Sequence, residues 1–133
     1  MASSTQGSPV KALLVEDEEI HIFIMSTFLR RFNCETTVAK NGKEAVDIFL
    51  EGNKFDIVLC NKKMPVMAGP EAVEKIRAMG ETDVLIVGVS ADYDAGEEFF
   101  NAGADVFVGK PMKPDVLEKM IQKAINKKKN TRV

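Results

Sequence analysis

Hydrophobic and polar residues follow two different periods along the chain, and their alternation predicts five strands and five helices. Continuous apolar runs, such as the one at 12–15, are typical of parallel strands that are buried on both faces. Runs in which apolar residues recur every three or four positions, such as 18–32, predict amphipathic helices. The predicted strands are 11–15, 34–38, 55–60, 84–89 and 106–108. The predicted helices are 18–32, 41 to about 50, 70–79, 92–102 and 114 to about 127.

Strict alternation of strands and helices favours an α/β fold with one doubly wound parallel sheet and helices on both of its faces. We expect a single domain over residues 10–127, preceded by a disordered segment at 1–9 and followed by a basic tail at 128–133. The basic run at Lys127, Lys128 and Lys129 is interpreted as a solvated helix end. A nucleic-acid or nuclear-import patch is the alternative for this run.

Composition restricts the classes of partner without identifying one. The formal net charge of -2 predicts no general attraction to nucleic acid or to an anionic membrane. Two cysteines are too few for a disulfide framework, and no apolar segment is long enough to cross a bilayer. We therefore expect a soluble monomer in the cytoplasm, with the nucleus as an additional location.

Polar side chains stand at the carboxyl ends of four predicted strands. Glu16 and Asp17 follow the first strand, Asn61 follows the third, Ser90 follows the fourth and Lys110 follows the fifth. In an open parallel sheet the ligand site lies outside the carboxyl ends of the strands, where the strand order reverses. The sequence therefore predicts one polar site that combines acids, an amide, a hydroxyl and a lysine.

These motifs resemble the phosphorylation site of response-regulator receiver domains, and the similarity extends from Lys11 to about Ile125. The motifs that carry it are Val15-Glu16-Asp17, Asn61-Lys62-Lys63-Met64-Pro65, Ser90-Ala91 and Lys110-Pro111. The run Met64-Pro65-Val66-Met67, together with the chain length, looks most like plant response regulators of cytokinin-type phosphorelays. The resemblance implies a flavodoxin-like sheet of five strands in the order 2-1-3-4-5.

The resemblance also implies roles for individual residues. In such domains the acids at Glu16 and Asp17 hold Mg²⁺ together with an acceptor aspartate, and the backbone carbonyl at Lys63 adds a ligand. The hydroxyl at Ser90 binds a phosphoryl oxygen. The lysine at Lys110 pairs first with the acceptor and then with the phosphoryl group.

Two positions depart from the family pattern, because Asn61 replaces the acceptor aspartate and Ala68 replaces a turn aspartate. An amide is neutral and cannot attack phosphorus as a carboxylate does. Two carboxylates in place of three predict weak Mg²⁺ binding at most, and no cofactor is required. Lys110 loses its anionic partner and is expected to turn towards Asp17 or the amide oxygen. Phe107 occupies the position of the aromatic residue that rotates when family members are activated.

The first predicted helix carries both core and interface candidates, taking about 100° per residue. The arc assigned to the core comprises Ile24, Met25, Phe28, Leu29 and Phe32. His21 falls in this arc and is interpreted as a half-buried core histidine. Phe23 lies on the opposite arc with Ile20 near its border, and both are predicted to bind a partner.

The function predicted from these residues is that of an atypical receiver in a two-component phosphorelay. It would bind a histidine-containing phosphotransfer protein and modulate signalling without accepting a phosphoryl group at Asn61, and it would not be an enzyme. One alternative is a phospho-accepting receiver whose aspartate was engineered to Asn61, although Ala68 argues against a single designed change. Another alternative is a scaffold that works independently of phosphorelays.

Overall fold

The computed structural model describes residues 9–131, apart from the side chains of residues 130 and 131. It contains one five-stranded sheet with the order β2-β1-β3-β4-β5 and with every neighbouring pair parallel. The strands are β1 (Val10–Val15), β2 (Cys34–Ala39), β3 (Ile57–Asn61), β4 (Leu85–Ser90) and β5 (Val106–Gly109). The helices are α1 (Glu19–Arg31), α2 (Gly42–Leu50), α3 (Gly69–Ala78), α4 (Ala95–Ala102) and α5 (Pro114–Thr131). The predicted fold class and strand order are confirmed.

Successive residues of each strand face two separate apolar layers. On one face, Leu13 and Val15 pack with the buried sides of α2, α3 and α4. On the other face, Ala12 and Leu14 pack with Leu29 of α1 and with the buried side of α5. The central strands are therefore covered on both sides, which explains their continuous apolar runs.

The strand order reverses beside β1, because the chain passes from β1 to the edge strand β2 and then returns to β3 on the other side. Leu14 of β1 lies opposite Val38 of β2 and opposite Leu59 of β3. Connections leaving β1 and β3 therefore diverge above their carboxyl ends and leave a cleft there. Asp56 lies at the amino end of the sheet, where its carboxylate accepts from the backbone N–H of Lys11 at 2.9 Å.

Several boundaries differ from the predictions made from sequence. Helix α5 continues to Thr131, so Lys128 belongs to the helix rather than to a tail. Its ammonium group lies 3.6 Å from the carboxylate of Asp56. Helix α4 begins at Ala95 rather than at residue 92, and it is capped after Ala102 by Gly103, whose φ is 114°. The segment predicted to be disordered, 1–9, and Arg132 lie outside the described residues, except for Pro9.

Helix α1 departs most from its prediction. Leu29 is its only fully buried residue, whereas Ile24 is 40% exposed and so was wrongly assigned to the core. A cavity of about 420 Å³ is lined by Ile24 and Met25 of the helix and by Leu59 and Val89 of the sheet. The apolar arc of the helix faces the protein as predicted, but Met25 and Phe28 are only partly buried against the packed layer.

Candidate functional site

The five polar residues predicted to converge do so at the carboxyl edge of the sheet. The ammonium nitrogen of Lys110 lies 3.0 Å from Glu16 Oε1, and the amide nitrogen of Asn61 lies 3.4 Å from Glu16 Oε2. A cleft of about 350 Å³ is lined by Asp17, Asn61, Ser90 and Lys110 among others. Parallel strands thus bring together groups that are up to 94 positions apart in the chain.

Glu16 is the buried centre of the site, with only 4% of its surface exposed. Its Oε2 accepts from the backbone N–H groups of Asp17 at 3.1 Å and Glu18 at 3.2 Å, because the chain turns directly after β1. A buried carboxylate needs this compensation and a counter-charge as well. Lys110 supplies that charge, so the expectation that it would turn towards Asp17 or the Asn61 amide oxygen is wrong.

The side chain of Asn61 bridges two oxygen atoms. Its amide nitrogen donates to the carbonyl oxygen of Lys63 at 3.0 Å, and it also lies 3.4 Å from Glu16 Oε2. The loop after β3 turns tightly because Gly69 lies against the Asn61 backbone, where any side chain at position 69 would collide with the carbonyl oxygen. The N–H of Gly69 also donates to the carbonyl of Lys62 at 2.8 Å. This turn places the Lys63 carbonyl over the strand end.

Asp17 carries an unpaired atom. Its Oδ1 is buried and has no hydrogen-bond partner among the described residues, although the side chain borders the cleft. An anionic oxygen that is withdrawn from solvent without a donor is costly. The position therefore suits a cation or a water molecule.

Ser90 is tied to the loop that follows β4. Its Oγ accepts from the backbone N–H of Asp92 at 3.0 Å, and the Ser90 residue is 7% exposed. The carboxylate of Asp92 accepts from the ammonium of Lys62 at 3.1 Å, and the same ammonium lies 3.3 Å from Glu98. The hydrogen bond from Lys62 lowers the pKa of Asp92, and the hydrogen bond to Asp92 raises the pKa of Lys62.

Sequence reasoning missed the contribution of Lys62 to this edge. The residue was noted only as a part of the motif after Asn61. Two acids that could pair with it stand after β4, just before α4 and in its first turn. A lysine beside the strand end and carboxylates at Asp92 and Glu98 were the available signal. Strands β3 and β4 are neighbours in the sheet, so residues that follow their carboxyl ends can form ion pairs with one another.

His21 is half-buried as predicted, but it faces the site and not the core. Its Nδ1 lies 2.8 Å from Glu18 Oε1, 3.2 Å from Lys110 Nζ and 3.7 Å from Glu16 Oε1. Donor atoms of Glu16, Glu18 and His21 lie within 4.8 Å of one another, a spacing that could hold a metal ion. The ammonium of Lys110 already stands against two of these donors.

Phe107 is half-buried and packs against helix α4. Its ring centroid lies 6.1 Å from that of Phe99. A Cβ at Gly96 would come within 3.2 Å of the Phe107 ring, so the glycine leaves room for the aromatic side chain. The contacts place Phe107 between α4 and the sheet, while its role as a switch stays a prediction.

Exposed apolar residues lie on α1 close to this edge. Ile20 is 62% exposed and Phe23 is 69% exposed, in agreement with their predicted positions on the outer arc of the helix. Ile24, at 40%, extends the same surface towards the cavity. We call Ile20, Phe23 and Ile24 the α1 surface.

A protein-family model matches the part of the chain that forms most of the sheet and its polar edge. The model described as the response regulator receiver domain matches residues 12–122. The chain belongs to this receiver family. The matched residues extend from β1 into α5 and include every candidate site residue named above.

Plant receivers are among its similar relatives. The two-component response regulator ORR42 of Oryza sativa subsp. japonica is 56% identical over 128 residues, which cover 96% of each chain. The chain is therefore similar to a plant two-component response regulator over nearly its whole length.

Solved receiver structures of more than 25% identity share the fold, and two of them bear on the site. One is the receiver domain of a sensor histidine kinase of Pseudomonas aeruginosa, with a magnesium ion coordinated in its active-site cleft. It has a TM-score of 0.82 and 27% identity, and the match covers 90% of this chain and 99% of that one. The other is the receiver of a Saccharomyces cerevisiae response regulator, co-crystallised with a histidine phosphotransfer protein. Its TM-score is 0.78 at 28% identity, and the match covers 86% and 87% of the two chains.

Magnesium, which the receiver family implies, can be tested against the oxygens of this site. Mg²⁺ prefers hard oxygen ligands, and Glu16, Asp17 and the Lys63 carbonyl offer them. The unpaired Oδ1 of Asp17 favours such an ion, whereas the Asn61 amide nitrogen lies against the other two groups.

Across residues 9–131, no helix is both long enough and apolar enough to cross a membrane.

Proposed function

We propose that this protein is an atypical receiver that binds a histidine-containing phosphotransfer protein and modulates a phosphorelay without accepting its phosphoryl group. The observation that carries the proposal is the amide at the acceptor position. Asn61 ends β3, where the family places its aspartate, and its nitrogen donates to Glu16 and Lys63. The nitrogen lone pair of an amide is delocalised into its carbonyl group, so the neutral Asn61 side chain cannot attack phosphorus as the carboxylate of an aspartate does.

Docking is supported by the α1 surface. Its large apolar side chains are exposed beside the site, and exposed aromatic residues with polar neighbours form the energetic centres of many interfaces. A structurally similar yeast receiver has been crystallised with a histidine phosphotransfer protein, and this supports a protein of the same class as the proposed partner. Binding through α1 needs no chemistry at Asn61, so recognition survives the loss of the acceptor.

The remaining residues of the site keep the chemistry that the family uses around the acceptor. Glu16, Asp17 and the carbonyl of Lys63 would hold Mg²⁺ weakly, and the ion would supply positive charge beside a phosphoryl group. Ser90 keeps a hydroxyl and Lys110 keeps an ammonium at the same edge. The protein acts as a binding module in this proposal, and neither a cofactor nor an enzymatic activity is required.

Phosphotransfer from a radiolabelled partner tests the proposal directly. Wild-type protein is expected to remain unlabelled while it still binds the partner, and Asn61→Asp is expected to become labelled because the other site residues are present. Asn61→Ala serves as the matched control, since it removes the amide without adding a nucleophile. Base-labile labelling of the wild-type protein would overturn the proposal. Failure of the wild type to bind any phosphotransfer protein would instead favour a scaffold outside phosphorelays.

A further inference from the structure

The orientation of the Asn61 amide is fixed by its two partners. A backbone carbonyl and an ionised carboxylate have no hydrogen to donate, so each requires an N–H from the opposite side. The Lys63 carbonyl at 3.0 Å and Glu16 Oε2 at 3.4 Å therefore both select the nitrogen of the amide. An amide turned by half a rotation would bring its oxygen against two further oxygens.

We propose that the Asn61 amide occupies the place between Glu16 and Lys63 that a divalent cation would take, and that it competes with Mg²⁺ instead of serving as a weak ligand. The amide N–H groups carry partial positive charge and face two of the three family ligands that remain, Glu16 and the Lys63 carbonyl. The inference rests on the proposed function, because it explains how the site is kept closed in a receiver without an acceptor.

The charges around Glu16 strengthen the argument. Its Oε1 is paired with Lys110 at 3.0 Å, and its Oε2 also accepts from the N–H groups of Asp17 and Glu18. Glu16 is thus neutralised and fully hydrogen-bonded before any ion arrives. Among the described residues that could bind the ion, Asp17 has a buried oxygen, Oδ1, without a hydrogen-bond partner. An ion attracted by Asp17 must displace the amide before it can reach Glu16 or Lys63.

The two possible roles of Asn61 predict opposite effects of removing its side chain. If the amide were a weak ligand, Asn61→Ala would lower the affinity for Mg²⁺. If it is a competitor, the same substitution frees Glu16 Oε2 and the Lys63 carbonyl and raises the affinity. The substitution removes two competing hydrogen bonds, one of them long at 3.4 Å, so we expect roughly tenfold tighter binding, which corresponds to about 1.4 kcal/mol.

Isothermal titration calorimetry with MgCl₂ measures this difference, and the shift in melting temperature with Mg²⁺ is a second readout. Asp17→Asn in both backgrounds is the matched control and should abolish the Mg²⁺ response, because it removes the unpaired anionic oxygen. Tighter binding by Asn61→Ala supports the proposal. Equal or weaker binding, or an absence of Mg²⁺ binding in both proteins at millimolar concentrations, overturns it.

Nuclear magnetic resonance of the wild-type protein gives a test that does not depend on the folding of a variant. The side-chain NH₂ group of Asn61 should be protected from hydrogen exchange without Mg²⁺ and should become faster to exchange as Mg²⁺ is added. Unchanged protection at saturating Mg²⁺ would contradict displacement. Labelling of the wild type by a phosphorylated partner would overturn the proposed function but not this competition, so the two failures are distinguishable.

Discussion

Helices α1 and α3 both carry apolar stripes, yet they are attached to the sheet in different ways. Helix α3 has ten residues and buries five of them, namely Gly69, Pro70, Ala72, Val73 and Ile76. Helix α1 has thirteen residues and buries only Leu29, while its amino-terminal half exposes the α1 surface above a cavity. The apolar content of a helix therefore does not measure its contribution to the core. In α1, three of the large apolar side chains, those of Ile20, Phe23 and Ile24, remain exposed.

The difference in attachment predicts the largest effect on stability. Ile76 in α3 is 1% exposed and Ile20 in α1 is 62% exposed, so the two isoleucines are a matched pair. Ile76→Ala is expected to lower the free energy of unfolding by about 2–5 kcal/mol, because it removes buried methylene groups and leaves a cavity. Ile20→Ala should change it by no more than about 0.5 kcal/mol. Urea denaturation measures both, and equal losses would show that the two helices are attached alike.

The second prediction concerns what the α1 surface does. Phe23→Ala is expected to weaken binding to a histidine-containing phosphotransfer protein by about 1–3 kcal/mol, because aromatic side chains dominate the energy of interfaces. Its melting temperature should remain close to that of the wild type, since the ring is 69% exposed. Calorimetric titration with the partner gives the affinity, and thermal unfolding gives the stability.

Leu50→Ala is the matched control for Phe23→Ala. Leu50 is 67% exposed at the end of α2, which packs on the opposite face of the sheet from α1. Its removal should change neither the affinity nor the stability. An equal loss of affinity in both variants would mean that binding depends on general surface hydrophobicity and not on the α1 surface.

The sheet and its polar edge were predictable because period and position determine them. Continuous apolar runs located the strands, and the residues just after them had to meet at one edge, as Glu16 and Asn61 do. The contacts of Lys110 were not predictable, because its choice of partner depends on which carboxylate is buried. Glu16 is buried and Asp17 is partly buried. The sequence does not show this difference, because the two acids are neighbours in the chain.

The errors on α1 have a common physical reason. Helical periodicity gives the direction of a side chain but not what lies opposite it. Ile24 and His21 do share the arc that faces the protein, as predicted, but the cavity lies opposite Ile24 and the acidic edge lies opposite His21. Burial at the end of a helix depends on how far the helix extends beyond the sheet, and no local pattern records that distance.

A polar contact gives the smallest expected effect and contrasts with the apolar attachment of α3. Lys62, which follows β3, is ion-paired with Asp92 and with Glu98. These ion pairs connect the start of α4 to the carboxyl edge of the sheet. The Lys62 side chain is 19% exposed, but both carboxylates face solvent, and ion pairs that water reaches contribute little to stability and are screened by salt. Lys62→Met is therefore expected to lower the melting temperature slightly at neutral pH, and much less than Ile76→Ala does.

The dependence of this small effect on pH follows from the direction of the pKa shifts. The hydrogen bond from Lys62 lowers the pKa of Asp92 in the folded protein, so its contribution is present above the ordinary pKa of an aspartate and is lost as the pH falls through the folded value. The pKa of Lys62 is raised, so its contribution is present below the ordinary pKa of a lysine and is lost as the pH rises through the folded value. The melting temperatures of wild type and Lys62→Met should differ at neutral pH and converge in acid.

Lys75→Met, on α3, is the control for removing a positive charge at an exposed position. A difference that persists below the pKa of Asp92 would show that Lys62 acts through the packing of its methylene groups and not through its charge.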